Sequence, residues 1–308
     1  MRMFTRFMLL LALIVPIWPA QATDTYTQTR YPIVLVHGIF GYNQLFGVDY
    51  FYRVPEELRR SGAQVYVAQV SATNSNEARG EELLVQVQQI LALTGAKKVN
   101  LIGHSQGSPT SRYVASVRPD LVASVTSVGG VNAGSKLADV VRGVAPPGSV
   151  SESVASKVTD ALVALINLGS GGSGLPQDNL AALDALTTVG TAAFNAKYPE
   201  GMPTATCGQG PAQVNGVRYF SWSGAQSFTN FFDPSDALFG ITALAFNGEP
   251  NDGAISSCAS HLGIVIRDNY RMNHLDEVNQ FLGLTDPFEV NPVTMYRQHA
   301  NRLQQAGL

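Results

Sequence analysis

The chain has 308 residues, 45% of them hydrophobic and 14% charged, with a formal net charge of −3. That apolar content excludes an intrinsically disordered chain and is enough for one large core or two smaller ones. The small acidic surplus excludes the basic footprint of a nucleic-acid-binding protein.

In chain order, Met1 to Ala22 reads as a secretory signal peptide. Arg2 and Arg6 precede an apolar core from Phe7 to Val15, and Ala20-Gln21-Ala22 forms a small-residue cleavage site. The apolar core is too short to span a bilayer. Cleavage after Ala22 takes Lys+Arg from 20 to 18 against 23 Asp+Glu, so the mature chain, residues 23–308, carries −5 instead of −3. Tyr31 to Val36 is a continuous β-rich apolar run, as expected of a strand buried on both faces, and it ends in His37-Gly38-Ile39. Val54 to Arg60 is a short helix with Pro55 in its first turn and Gly62 after its end. Gln64 to Val70 is a strand. Glu77 to Leu93 is a helix, with Leu83, Leu84, Val87, Ile90 and Leu91 at helical spacing and Gly95 closing it.

Val99 to Ile102 is a buried-type strand that runs into Gly103-His104-Ser105-Gln106-Gly107, and Gln106 to Val117 reads as the next helix. This is a Gly-x-Ser-x-Gly nucleophile elbow in its strand–turn–helix context, with glycines where a Cβ would collide with neighbouring backbone. Val122 to Val128 is a further strand. The alternation predicts an α/β fold, a mostly parallel sheet flanked by helices, with ligands at the carboxyl ends of the strands, and the elbow in that setting points to the α/β-hydrolase type. Ser105 and the His37-Gly38 turn both fall at such ends. The backbone N–H groups of Ile39 and Gln106 are the expected oxyanion donors.

Residues 148–174 differ from the regular pattern. An amphipathic helix with Val150, Val154, Val158, Leu162, Leu165 and Ile166 along one stripe lies between Pro146-Pro147-Gly148 and the glycine-serine run Gly169 to Gly174. A helix between flexible joints is what a movable lid over the site looks like. Leu180 to Tyr198 reads as a helix and Val217 to Ser223 as a late strand. Gly224 to Ala259 reads as a long loop-rich excursion. Cys207 and Cys258 are the two cysteines of the chain, and an even count in an exported protein argues for one disulfide between them.

Serine needs a base, and the base needs a group to orient it. In the chain order Ser, acid, His, the histidine follows the last strand, which favours His274 in Met272-Asn-His-Leu-Asp276 over His261, a structural histidine beside Cys258. Asp233, Asp236 and Asp252 all lie in the interval for the acid, and spacing does not choose among them. Asp252 also occurs in a turn tripeptide, Asn251-Asp252-Gly253.

Several stretches together resemble the secreted triacylglycerol lipases of Pseudomonas and Burkholderia, over nearly the whole mature chain. They include Tyr31 to Gly38, Val99 to Gly107, Phe194 to Pro199, Asp233-Pro-Ser-Asp236, Asn251-Asp-Gly253 and the long run Ile266 to Asn279. The resemblance implies Ser105, Asp252 and His274 as the catalytic triad and a bridge between Cys207 and Cys258. It implies a structural calcium ion (Ca2+) held by the carboxylates of Asp233 and Asp276 and the backbone carbonyls of Gln280 and Leu284, a set of oxygens such as calcium takes. It also implies a helical lid at 148–174 and folding assisted by a membrane-anchored lipase-specific foldase before secretion. Gln106 stands where some relatives carry His, and the lid region matches only loosely. The expected activity is hydrolysis of triacylglycerols at a lipid–water interface. The rivals are an esterase for short soluble esters and a secreted, non-catalytic hydrolase-fold binding protein.

Overall fold

Strand β1, Ile33–Val36, lies between two parallel neighbours, β2 (Val65–Ala68) and β3 (Val99–His104), in the computed structural model, which describes residues 24–39, 41, 44–45, 48–169 and 175–308. The expected signal peptide and the glycine-serine joint from residue 170 to 174 lie outside the described residues. Strand β4 (Val122–Val128) pairs with β3, and β6 (Val217–Gly224) with β4, both parallel. The outer edge of β6 is shared: the two-residue β5 (Gln213–Val214) pairs antiparallel at its start, and β7 (Ile264–Tyr270) runs parallel along the rest. The order is therefore β2-β1-β3-β4-β6, with β5 and β7 on the far side. The mostly parallel, helix-flanked sheet expected from the alternation is the sheet observed.

The strands read as unbroken apolar runs because both faces are covered. Val34 and Val36 pack with Leu83, Val87 and Val114 on one face, whereas Ile33 and Leu35 pack with Phe51, Leu58 and Tyr296 on the other. Fully burying each such side chain contributes about 1.5–3 kcal/mol. Helix α1 (Val54–Arg60) and the C-terminal helix, Pro292–Gln305, cover the second face. Helix α2 (Asn76–Thr94) covers the first; the Ser75 hydroxyl caps its start on the Ala78 N–H, and Gly95, at φ 69°, turns the chain out of it. Helix α3 (Gly107–Val117) follows β3 directly.

One expectation is corrected and one is refined. The single helix expected over Leu180 to Tyr198 is two, α6 (Asn179–Leu186) and α7 (Thr188–Lys197), broken where Thr187 is extended (φ −64°, ψ 159°). The Thr187 hydroxyl caps α7, and a Cβ at Gly190 would lie 1.9 Å from the Asp184 carbonyl oxygen, so only glycine lets the second helix leave this close to the first. The excursion Gly224 to Ala259 is not all loop. It contains α8 (Asp236–Thr242), which continues as a 3-10 turn over Ala243–Phe246. Phe239 and Phe246 are buried by tertiary contact whereas Ile241 and Leu244 stay exposed, so too few apolar positions share a face for periodicity to reveal the helix.

The amphipathic helix is α5 (Glu152–Gly169), which follows the short α4 (Lys136–Val141) in the chain. Its Val158 is fully buried against a small separate cluster with Leu137, Val140 and Phe246, while Val154 and Leu162 are half-buried beside it. Cys207 and Cys258, 51 residues apart, form a disulfide with 4.5 Å between their Cα atoms.

Candidate active site

The elbow is fixed by backbone crowding. A Cβ on Gly103 would lie 2.2 Å from the Gly107 carbonyl oxygen, and one on Gly107 would lie 2.2 Å from that of Val36. Ser105 itself takes the left-handed conformation, φ 55°, which costs a non-glycine residue about 1–3 kcal/mol and persists only where surroundings impose it. They do: its N–H donates to Val128 O (3.0 Å), and its carbonyl accepts from Ser108 and Val131 (3.1 and 3.3 Å). The Gln106 side chain turns away to donate to Asn74 O (2.8 Å) and Asn76 Oδ1 (3.2 Å).

The turn after β1 approaches the serine closely, because a Cβ on Gly38 would meet Ser105 Cβ at 2.6 Å and Ser105 Oγ at 3.1 Å. Two side chains that sequence reading passed over hold this turn. Arg79, fully buried inside α2, donates to the His37 carbonyl (2.6 Å), to the Gly38 carbonyl (3.3 Å) and to Thr110 Oγ1 (3.2 Å). Burial lowers the Arg79 guanidinium to about 10, which leaves it charged at neutral pH. Tyr50 Oη accepts the Gly38 N–H (3.1 Å). His37 is buried and neutral, pushed down to about 3 by desolvation and by the Arg79 charge. With the carbonyls of His37 and Gly38 engaged, the N–H groups of Ile39 and Gln106 are left without a hydrogen-bond partner among the described residues.

His274 follows β7, and Asp252 lies in the excursion after β6. The backbone N–H of His274 donates to the Asp252 carbonyl (2.9 Å), and His274 Nδ1 lies 2.7 Å from Asp252 Oδ2. The other carboxylate oxygen of Asp252, fully buried, accepts the N–H groups of Ala254 and Ile255 (2.8 and 2.7 Å). Of the three candidate acids, Asp252 is thus the one in contact with His274. Asp236 instead accepts from Thr229 and Asn230 N–H (2.7 and 2.5 Å) and from Asn273 Nδ2 (2.7 Å). His261 is tied to Gly208 O (2.9 Å) and Asp268 Oδ2 (3.0 Å) beside the disulfide, away from Ser105.

The expected calcium ligands lie in the two loops next to this. Asp233 and Asp276 are both buried, and each leaves one carboxylate oxygen, Asp233 Oδ2 and Asp276 Oδ1, without a hydrogen-bond partner among the described residues. Burial raises both carboxyls, Asp276 to about 8, with the charges of Asp233 and Asp236 adding to the effect there. Buried carboxylates with orphaned oxygens are expensive unless a cation meets them. Nearby, Asn279, Phe281 and Leu282 take φ of 61°, 48° and 62°, a strained run around the carbonyls of Gln280 and Leu284. The residues fit a hard dication.

Residues 31–278 match the family described as alpha/beta hydrolase fold. The chain belongs to that alpha/beta hydrolase family. Relatives of this hydrolase include a triacylglycerol lipase of Vibrio cholerae serotype O1, 67% identical over 94% of this chain and 92% of the relative. A triacylglycerol lipase of Pseudomonas fragi is 46% identical (92% and 100% covered), and one of Burkholderia plantarii 41% (94% and 90%). Among solved structures, the mature Bacillus licheniformis lipase BlEst2 superposes with a TM-score of 0.62 at 18% identity, covering 93% of this chain and 96% of that one. The metagenomic carboxyl esterase MGS0156 does so with a TM-score of 0.60 at 17% identity, covering 96% and 80%. These two likenesses concern the fold of the hydrolase.

Proposed function

We propose that this hydrolase is a lipase that cleaves the ester bonds of water-insoluble triacylglycerols through a Ser105–His274–Asp252 acyl-enzyme mechanism. The observation that carries the reading is the doubly bonded Asp252–His274 pair in a fold whose β3 ends in the strained Ser105. His274 takes the proton of Ser105 Oγ as that oxygen attacks the ester carbonyl, and Asp252 keeps the His274 Nδ1 proton in place so that Nε2 is the base. The N–H groups of Ile39 and Gln106 receive the oxyanion. His274 then protonates the departing alcohol and activates the water that hydrolyses the acyl-enzyme.

A calcium ion held by Asp233, Asp276 and the carbonyls of Gln280 and Leu284 would supply structural charge neutralisation two residues from His274. It takes no part in proton transfer. Helix α5, attached through a small satellite cluster instead of the main core, is the candidate lid. Export through a signal peptide at residues 1–22 and folding with a membrane-anchored foldase complete the proposal; the disulfide accords with an oxidising compartment.

Replacing Ser105 by Ala is the direct test. It should abolish hydrolysis of emulsified long-chain triacylglycerol and labelling by an alkyl phosphonate while leaving the melting temperature within a few degrees. Retained hydrolysis would sink the assignment. Comparing that emulsion with a short monomeric ester separates a lipase from an esterase.

A further inference from the structure

A buried chain of hydrogen bonds joins the three catalytic segments from behind. Tyr50 Oη accepts the Gly38 N–H at 3.1 Å and lies 2.6 Å from His104 Nδ1, and His104 Nε2 lies 2.9 Å from the His274 carbonyl oxygen. Each segment is held within one residue of a reacting group: Gly38 precedes Ile39, His104 precedes Ser105, and the last bond ends on His274 itself.

The protons can be assigned in one direction. A carbonyl only accepts, so His104 Nε2 carries a hydrogen. A neutral imidazole then offers Nδ1 as an acceptor, and the Tyr50 hydroxyl donates to it. His104 is fully buried, and burial together with His274 holds its ring neutral by pushing its pKa well below the ordinary histidine value. Glu277 Oε2 lies 3.4 Å from the same Nε2, farther than the His274 oxygen, while Glu277 Oε1 accepts the Gly224 N–H at 2.5 Å. The His274 oxygen is therefore the nearer acceptor of the His104 Nε2 hydrogen. The His104 and His274 rings also approach to 4.5 Å between centroids.

We infer that Tyr50 and His104 are positioning residues for hydrolysis: their relay fixes the distances among the oxyanion donor at Ile39, the Ser105 hydroxyl and the His274 ring. This rests on the triad reading above and extends it to two side chains outside the triad and the oxyanion donors. His274 is clamped on both sides of its main chain, by Asp252 at its N–H and by His104 at its carbonyl. Releasing one side moves the ring without removing any reacting group, and a misplacement of about 1 Å can cost about 100-fold in rate.

The test uses Tyr50→Phe, which keeps the ring packed edge-on to Phe51 (5.0 Å between centroids) and deletes only the hydroxyl. The second variant is His104→Gln, whose amide can still donate to the His274 carbonyl but cannot reproduce both bonds. Activity on p-nitrophenyl butyrate is measured per active site titrated with an alkyl phosphonate, well below the melting temperature. Tyr50→Phe is expected to lower kcat about 10- to 100-fold with KM within about twofold, and to slow phosphonate labelling by the same factor. The double variant should be no slower than the slower single one, because both break one relay. Unchanged kcat per titrated site with only a lower melting temperature, or losses that multiply in the double variant, would overturn the relay. If Tyr50→Phe does not fold, His104→Gln answers alone: a kcat loss with KM retained supports the relay and full kcat overturns it. Failure of the triad reading is distinguishable, since the wild-type Ser105 would then take no label at all.

Discussion

Asp252 holds His274 twice, by side chain to ring at 2.7 Å and by carbonyl to main-chain N–H at 2.9 Å. The aspartate thus sets both the tautomer of the ring and the path of the backbone beneath it. Asp252 is in turn fixed locally by the two N–H groups of the turn it begins, so its contact with His274 does not need the disulfide.

The disulfide should accordingly matter more for stability than for chemistry. Replacing Cys207 and Cys258 by Ser reopens a loop spanning 51 residues, which the chain-entropy account values at about 4 kcal/mol. Denaturant unfolding should register a loss of that order, while kcat well below the transition stays within a few-fold of wild type. A kcat loss of 100-fold in the still-folded variant would contradict this.

Two glycines should separate folding from catalysis. Gly107→Ala drives a Cβ into the Val36 backbone and is expected to prevent accumulation of folded protein. Gly38→Ala instead meets Ser105 Cβ and Oγ and Tyr50 Oη (2.6, 3.1 and 3.0 Å), side-chain atoms with no backbone among them. It should leave a folded protein with hydrolysis reduced at least about 100-fold, since the nucleophile is displaced. Circular dichroism and active-site titration distinguish the two outcomes.

Chelation should destabilise the protein increasingly with pH. Without a cation, burial raises Asp276 from 3.8 to about 8, so its contribution to stability is complete below the unfolded value and is lost as pH climbs towards 8. A bound dication favours the ionised form and cancels that loss. The drop in melting temperature on adding EDTA is therefore expected to be small at pH 5 and larger at pH 8, and Asp276→Asn should abolish the difference. Equal melting temperatures with and without chelator at pH 8 would refute the site.

Acid should act through buried histidines. His299 lies in the C-terminal helix, fully buried between Thr126 Oγ1 (2.7 Å) and the Arg302 guanidinium (3.0 Å), and burial lowers it to about 3. Its folded value is below its unfolded one, so the stability it contributes is present above pH 6.5 and is lost as pH falls towards 3. His299→Gln should flatten the acid limb of a stability–pH curve by about 1.4 kcal/mol per pH unit in that window. An unchanged slope would mean that the histidine stays exposed to solvent in solution.

By itself the sequence determined the sheet, the elbow at Ser105 and the preference for His274, because strand runs, helical periodicity and glycine-bounded turns are local signals. The acid could not be chosen by spacing: Asp233, Asp236 and Asp252 are equivalent on paper, and only tertiary contact puts one of them against His274. The same holds for the break at Thr187, imposed by the close packing of Gly190 on Asp184, and for α8, whose apolar face is defined by what covers it. Arg79 reads in the sequence as an ordinary helix residue and Tyr50 as part of a loop. Their grip on the turn before Ile39 joins Gly38 to residues 12 and 41 positions away, a relation that no local pattern encodes and only the folded chain creates.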